Sequence, residues 1–202
     1  MKHLQVVPTQ GPSRPLQDMM KPGLSAVFCG LNPGLRAAMT GYHFAGNGNR
    51  FWRAIYLAGF TDHELRPADC HRLLSHGFGL ATAVSRPTAS ASELSYEEYA
   101  SASLRLTVEF ERFRPTYIAF LGKAAYAAMI NQRVVNWGPQ RQPMGKSKVW
   151  VLPNPSGRNR GFSLANLVDA YSEFRRAVES QLGDEDFPTV FGEQRQLEVS
   201  GR

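Results

Sequence analysis

Four short runs of the chain are almost wholly apolar: residues 24–30, 80–84, 116–122 and 148–152. Their brevity and continuity predict strands buried on both faces, the habit of a parallel sheet. Between them the period lengthens to that of helices. Residues 49–59 carry Phe51, Trp52, Ile55 and Leu57 and stop at Gly59. Thr61-Asp62-His63-Glu64 and Ser95-Tyr96-Glu97-Glu98 both have the form of a capping box. They predict a short helix toward Leu74 and a longer one to Phe113, ended by Arg114-Pro115. Residues 123–132 read as a helix that follows a strand at once. Ser163 caps a last helix whose Leu164, Leu167, Val168, Tyr171, Phe174 and Val178 form one apolar stripe, a core face rather than a partner site. Strands alternating with helices predict an α/β fold with helices on both faces of the sheet. Residues 1–22, proline-rich and polar, read as an arm, residues 23–182 as the domain, and residues 183–202 as an acidic tail.

In such sheets ligands bind beyond the carboxyl ends of the strands, and three loops of interest leave at that rim. The first is Gly30-Leu31-Asn32-Pro33-Gly34 and the second is the 85–93 stretch with Arg86, Pro87, Thr88 and Glu93. The third is Asn154-Pro155-Ser156-Gly157-Arg158-Asn159-Arg160. Asn32 precedes proline and so favours extended backbone. Its amide can position a water but is too weak a base to deprotonate one; the alternative is a structural Asx-turn. In the glycine-rich stretch 40–52, Phe44 suits stacking on a planar base and equally suits plugging the loop against the core. His43 beside it is either a hydrogen-bonding group or a bystander. Asn154 can face a ligand edge while its loop offers backbone N–H groups to phosphate. Arg158 and Arg160 can contact phosphates, fill a gap in a base stack, or simply be solvated.

Composition narrows the class. The chain has 202 residues, 43% of them hydrophobic, enough for one domain with a real core, and no apolar run reaches membrane-spanning length. The start, Met1-Lys2-His3-Leu4-Gln5, is unlike a secretory signal. Cys29 and Cys70 are too few for a disulfide framework or a cysteine-based zinc site. A soluble protein of the reduced cytoplasm is expected. The net charge of +6 is unevenly spread: residues 112–168 hold nine basic residues and no acid, and residues 19–61 hold no acid either. The tail has five acids and two bases. Both flanking loops lie in the acid-free stretches, which suits a polyanion such as nucleic acid, although an ordinary basic surface would look similar. No Walker loop, dinucleotide fingerprint, metal-ligand spacing or Gly-x-Ser-x-Gly elbow is present.

Taken together, Val27-Phe28-Cys29-Gly30-Leu31-Asn32-Pro33-Gly34, Asn49-Arg50-Phe51-Trp52, Ala58-Gly59-Phe60-Thr61-Asp62, Arg86-Pro87-Thr88, Leu121-Gly122-Lys123 and residues 149–157 resemble the mismatch-specific uracil-DNA glycosylases, bacterial relatives of thymine-DNA glycosylase. The resemblance runs from about residue 23 to residue 178. It implies a three-layer α/β/α sandwich with a short, mainly parallel sheet. It also implies an enzyme that flips a mismatched uracil, or a thymine or modified pyrimidine, out of double-stranded DNA and hydrolyses its N-glycosidic bond. On this resemblance Asn32 holds the attacking water, Phe44 stacks on the base, backbone N–H groups near Leu31 and Phe44 bind its carbonyls, and Asn154 lines the pocket. Gly157, Arg158 and Asn159 fill the vacated stack, with an arginine where the familiar relative has leucine; Ser156 and Arg160 flank them.

Fixed N–H dipoles facing a departing uracil anion reduce the need for a paired-carboxylate mechanism. Glu93, off the same rim, is a candidate for activating water or steadying the sugar cation, or else a solvated acid before the Ser95 cap. Ala37 and Ala38 border the space beside the base's 5-position. No cofactor or metal is expected; the partner is DNA, with no membrane, and a monomer in the cytoplasm, associated with the nucleoid, is the simplest form. Two other functions compete: a broader uracil glycosylase that also acts on single strands, and a non-catalytic binder of damaged DNA.

Overall fold

The computed structural model describes residues 16–182. A five-stranded sheet runs in the order β2-β1-β3-β5-β4, built from β1 (Ala26–Gly30), β2 (Phe78–Thr82), β3 (Tyr117–Leu121), β4 (Gly138–Pro139) and β5 (Lys148–Leu152). All neighbours are parallel except β4, which pairs antiparallel with β5. The helices are α1 (Leu35–Thr40), α2 (Phe51–Leu57), α3 (Tyr96–Phe113), α4 (Lys123–Met129) and α5 (Leu164–Leu182).

The pleat divides the strand side chains between two cores. Phe28, Phe78, Leu80, Ala119, Trp150 and Leu152 join the cluster under α2 and α5. Val27, Cys29, Ile118, Phe120, Val149 and Val151 join the one under α3 and α4. Continuous apolar strands are what a sheet covered on both faces requires; the helices cover both faces as the pattern predicts, in the three-layer α/β/α sandwich that the resemblance implies. Phe28 is the hub of the first core. It meets Phe51, Phe60, Phe78, Tyr171 and Phe174 with centroids 5.1–6.3 Å apart.

Differences from the sequence reading have local causes. The strand expected at 80–84 begins at Phe78. No helix runs from Thr61: Pro67 forces Arg66 into extended backbone (ψ 157°), and a 3-10 segment follows over Pro67–His76. Glu64 pairs with Arg53 at 2.6 Å. Leu57 is exposed. α1 and β4 were not foreseen; six and two residues are too few to show a period. By contrast, the Ser95 box forms as expected, with Ser95 Oγ accepting from Glu98 N–H and Glu98 accepting from Ser95 N–H. Ser163 Oγ likewise accepts from Asn166 N–H at 3.1 Å.

The end of the supposed arm is part of the fold. Leu16 is buried, and Met19 exchanges two backbone hydrogen bonds with Leu80, at 2.7 and 3.0 Å. This approach is why position 79 is glycine: a Cβ there would lie 2.6 Å from the Met19 carbonyl. Asp18 accepts from the Thr82 N–H and pairs with Arg105 at 2.5 Å, bracing the end of β2. The tail assigned to residues 183–202 and the first fifteen residues of the arm lie outside the described residues. Among the described residues no helix is long and apolar enough to cross a membrane.

Phe28→Ala should lower stability by about 3–5 kcal/mol. Urea unfolding should show the midpoint falling with the slope unchanged; a loss under 1 kcal/mol would mean that Phe28 is not the hub.

Candidate active site

The chain builds β2 on one side of β1 and β3 on the other, so the loops leaving β1 and β3 part at their carboxyl ends and open a crevice. A cavity of about 650 Å³ occupies it. Leu31, Asn32, Ala37, Phe44 and Asn154 all line it, with Ser156, Gly157, Arg158 and Asn159. Gly122, at the end of β3, joins the two amide-bearing loops. A Cβ there would be 3.6 Å from the Leu31 side chain and 3.7 Å from that of Asn154.

The Asn32 amide is oriented by its donors. Nδ2 donates to Thr88 Oγ1 at 2.8 Å, to the Arg86 carbonyl at 2.9 Å and to the Pro33 carbonyl at 3.2 Å. The Thr88 hydroxyl gives its own proton to the Ser90 carbonyl, so it can only accept from Asn32. Both amide hydrogens are therefore spent, and no described residue donates to Asn32 Oδ1. Asn154 is the complement. Its Oδ1 accepts from the Ser156 N–H at 2.9 Å, and no described residue accepts from its Nδ2. One amide thus keeps a free acceptor and the other a free donor.

Phe44 sits in left-handed backbone, φ 56°, a conformation that a bulky residue adopts only where its surroundings impose it. Its ring stacks on Phe51 with centroids 4.0 Å apart, and Phe51 rests on Phe28. His43 is buried, and its Nε2 lies 2.9 Å from the Gln17 carbonyl. A carbonyl only accepts, so the neutral ring carries its proton on Nε2, and Nδ1 is left without a partner. Burial pushes the His43 pKa below the usual 6.5; the Gln17 carbonyl and Asp18 pull weakly the other way.

The third loop is held from inside by Arg50. Its Nε donates to the Pro155 carbonyl, its Nη1 to that of Phe162, and its Nη2 to those of Ser156 and Asn159, both at 2.9 Å. Asn159 Nδ2 closes back on the Asn154 carbonyl at 2.8 Å. Gly157 meets the glycine-rich loop so closely that a Cβ would fall 2.6 Å from the Gly48 carbonyl. Arg158 is left exposed on this turn.

Two residues proposed from sequence are not brought to the cavity. Glu93 spends Oε1 on the Ser90 N–H at 2.7 Å, in a capping box around the turn Ala91–Glu93. Arg160 lies just beyond the lining, its N–H on the Arg158 carbonyl. Among the described residues, the only fully charged side chains that line the cavity are Arg36 and Arg158, and no carboxylate does so. Arg36 reaches from α1 to Asn47 Oδ1 at 2.7 Å. Sequence reasoning missed the positioning roles of Arg50 and Thr88 and the Arg36–Asn47 contact. For Arg50 a signal existed: an arginine between core aromatics, inside an acid-free stretch, must find carbonyls. Cys29 is a buried, free thiol whose pKa burial raises, and it takes no part. Among the described residues no group of histidine, cysteine and acidic side chains is placed to hold a metal ion.

Residues 17–179 match the family model described as the uracil DNA glycosylase superfamily. A solution structure of a candidate uracil DNA glycosylase from Methanosarcina acetivorans is similar in fold, with a TM-score of 0.55 at 19% identity over 83% of this chain and 98% of that one.

Two outcomes test this geometry. Each Arg50 hydrogen bond from its charged group is worth roughly 1.5–3 kcal/mol. Arg50→Met should therefore speed amide exchange across residues 154–162 at least about tenfold; unchanged exchange would remove Arg50 from its role. For His43 the unfolded state takes up a proton near pH 6.5 while the folded state resists it, so stability is full above that pH and falls as pH drops through and below it. Urea midpoints should fall further between pH 7.5 and 5.5 for the wild type than for His43→Gln.

Proposed function

The chain belongs to the uracil DNA glycosylase superfamily, and we propose that it is a repair glycosylase that everts uracil from mismatched double-stranded DNA and hydrolyses its bond to the sugar. The observation that carries this reading is Asn32. Its amide is locked with a carbonyl oxygen to which no described residue donates, in a cavity that no described carboxylate lines. Asn32 Oδ1 accepts from the attacking water and aims its oxygen at C1′. The C1′–N1 bond breaks with its electron pair leaving on the base, the water oxygen bonds to C1′, and the water's proton passes to solvent. Backbone N–H groups near Leu31 and Phe44, with Asn154 Nδ2, stabilise the uracil anion; no strong base is needed because the leaving group carries the charge. Phe44 stacks on the base, and Ala37 borders its 5-position.

The wedge assignment draws on the rigid 153–162 turn. Gly157, Arg158 and Asn159 enter the gap left by the everted nucleotide, and Arg158 offers donors to the widowed guanine. Ser156 and Arg160 approach the flanking phosphates. A turn so braced favours a duplex substrate, because a single strand has no stack to fill. In this reading the protein acts on DNA in the cytoplasm as a monomer. Glu93 contributes through the 88–93 loop that fixes Asn32.

The test is excision from G:U, A:U and G:T duplexes and from single-stranded uracil DNA, read by alkali cleavage. Wild type should act first on G:U. Asn32→Ala should lose at least about a hundredfold in single-turnover rate, the scale of a misplaced reactant, whereas Glu93→Gln, which keeps the capping oxygen, should lose far less. No abasic product from any substrate would leave a damage binder. Equal rates on single strands would replace the mismatch-specific reading with a broad one.

A further inference from the structure

One aromatic cluster at the same rim has no part in the chemistry above. Trp137 is 42% exposed. Its ring carries the Lys123 ammonium at 4.5 Å and meets Phe162 edge to face at 5.3 Å. The turn beneath is braced: Gln140 Nε2 donates to the Asn136 and Gly138 carbonyls, at 2.9 and 2.8 Å, and Gly138 begins β4, paired with β5. The mount is therefore part of the sheet.

Its position ties it to the site. Lys123 follows Gly122, the residue packed between Leu31 and Asn154, and Phe162 is the last residue of the wedge turn gripped by Arg50. Among the described residues no carboxylate lies within ion-pair distance of Lys123, and the 112–168 stretch holds no acid. A cation with no counter-charge, on the face of a half-exposed indole, is a surface suited to a phosphate beside an apolar sugar or base.

We propose that Lys123 and Trp137 form a docking site for the DNA strand just beyond the everted nucleotide, Lys123 taking a phosphate and Trp137 packing on the adjoining nucleotide. This rests on the glycosylase reading and extends it to the duplex flank. The occupant is DNA because the cluster continues the rim of the cavity and its charge matches a polyanion.

The indoles make a direct test possible, since Trp52 and Trp150 are buried at 4% and 6%, so acrylamide quenching reports chiefly on Trp137. The full chain is titrated with a duplex holding a tetrahydrofuran abasic analogue opposite guanine. DNA should shield the exposed tryptophan from acrylamide, and Trp137→Phe should abolish the quenched component. Lys123→Gln should lower the salt slope of binding by about one. Trp137→Ala should weaken affinity about tenfold, the scale of one lost stacking contact. DNA that binds and is excised without shielding Trp137, or with an unchanged salt slope in Lys123→Gln, would overturn this inference alone. Absence of both binding and abasic product would overturn the glycosylase reading with it.

Discussion

The site depends on a cation whose donors are spent on carbonyl oxygens instead of a carboxylate. Arg50 sits between the core helix it precedes and the 153–162 turn, and four carbonyls of that turn converge on its guanidinium. A carboxylate there would satisfy the same donors but would also cancel the charge of the rim. Carbonyl dipoles satisfy them and leave the positive charge in place. Four carbonyls of the turn are thereby tied to one side chain before any ligand arrives, and in the wedge role proposed above such bracing would spare ordering entropy on entering a duplex. The Gly157–Gly48 approach does the same from outside, because two backbones can come this close only without a side chain between them.

The first loop solves the opposite problem. There an amide must keep one end free, and it does so by exhausting the other. Thr88 is decisive because its hydroxyl proton already goes to Ser90, leaving it able only to accept. A chain of fixed donors thus leaves Oδ1 as the end of Asn32 without a partner among the described residues. With no carboxylate among the described lining residues, the glycosylase proposed above would draw much of its catalysis from orientation. Orientation and prepaid entropy can account for roughly 7–11 kcal/mol of a barrier, so a weakly basic site remains a competent one where the leaving group is stable.

The architecture was legible wherever burial dictates residue type. Doubly covered strands must be apolar throughout, and α3 and α5 are long enough to show both stripe and cap. The two amide loops were legible because a rim loop after a buried strand has few reasons to carry Asn-Pro beside glycine. What stayed hidden is of two kinds. Elements of two to six residues, β4 and α1, have no room for a period. Partnerships across more than fifty residues, such as Asn32 with Thr88 or Arg50 with Phe162, depend on how the loops meet and leave no trace in local pattern. Glu93 is the opposite case: its partner is local, since Ser90-Ala91-Ser92-Glu93 has the spacing of a capping box, and the Ser90 N–H takes one oxygen of the carboxylate.

The 40–52 loop shows how structural and functional demands coincide. Sequence left Phe44 as either a core plug or a platform for a base. The ring is committed on one side to Phe51, which leans on Phe28 and so on the central core, yet Phe44 still lines the cavity. In the stacking role proposed above the plug would also make the platform, because a ring anchored on Phe51 is held in one orientation. Holding it there leaves two unfavourable features side by side, a left-handed phenylalanine and a histidine with an orphaned nitrogen. The Trp52 indole N–H, on the His43 carbonyl at 3.2 Å, and the Phe51 ring hold the loop in that state. Strain of this kind persists only where the surroundings over-determine it, and here they do so at the point where the cavity meets the core.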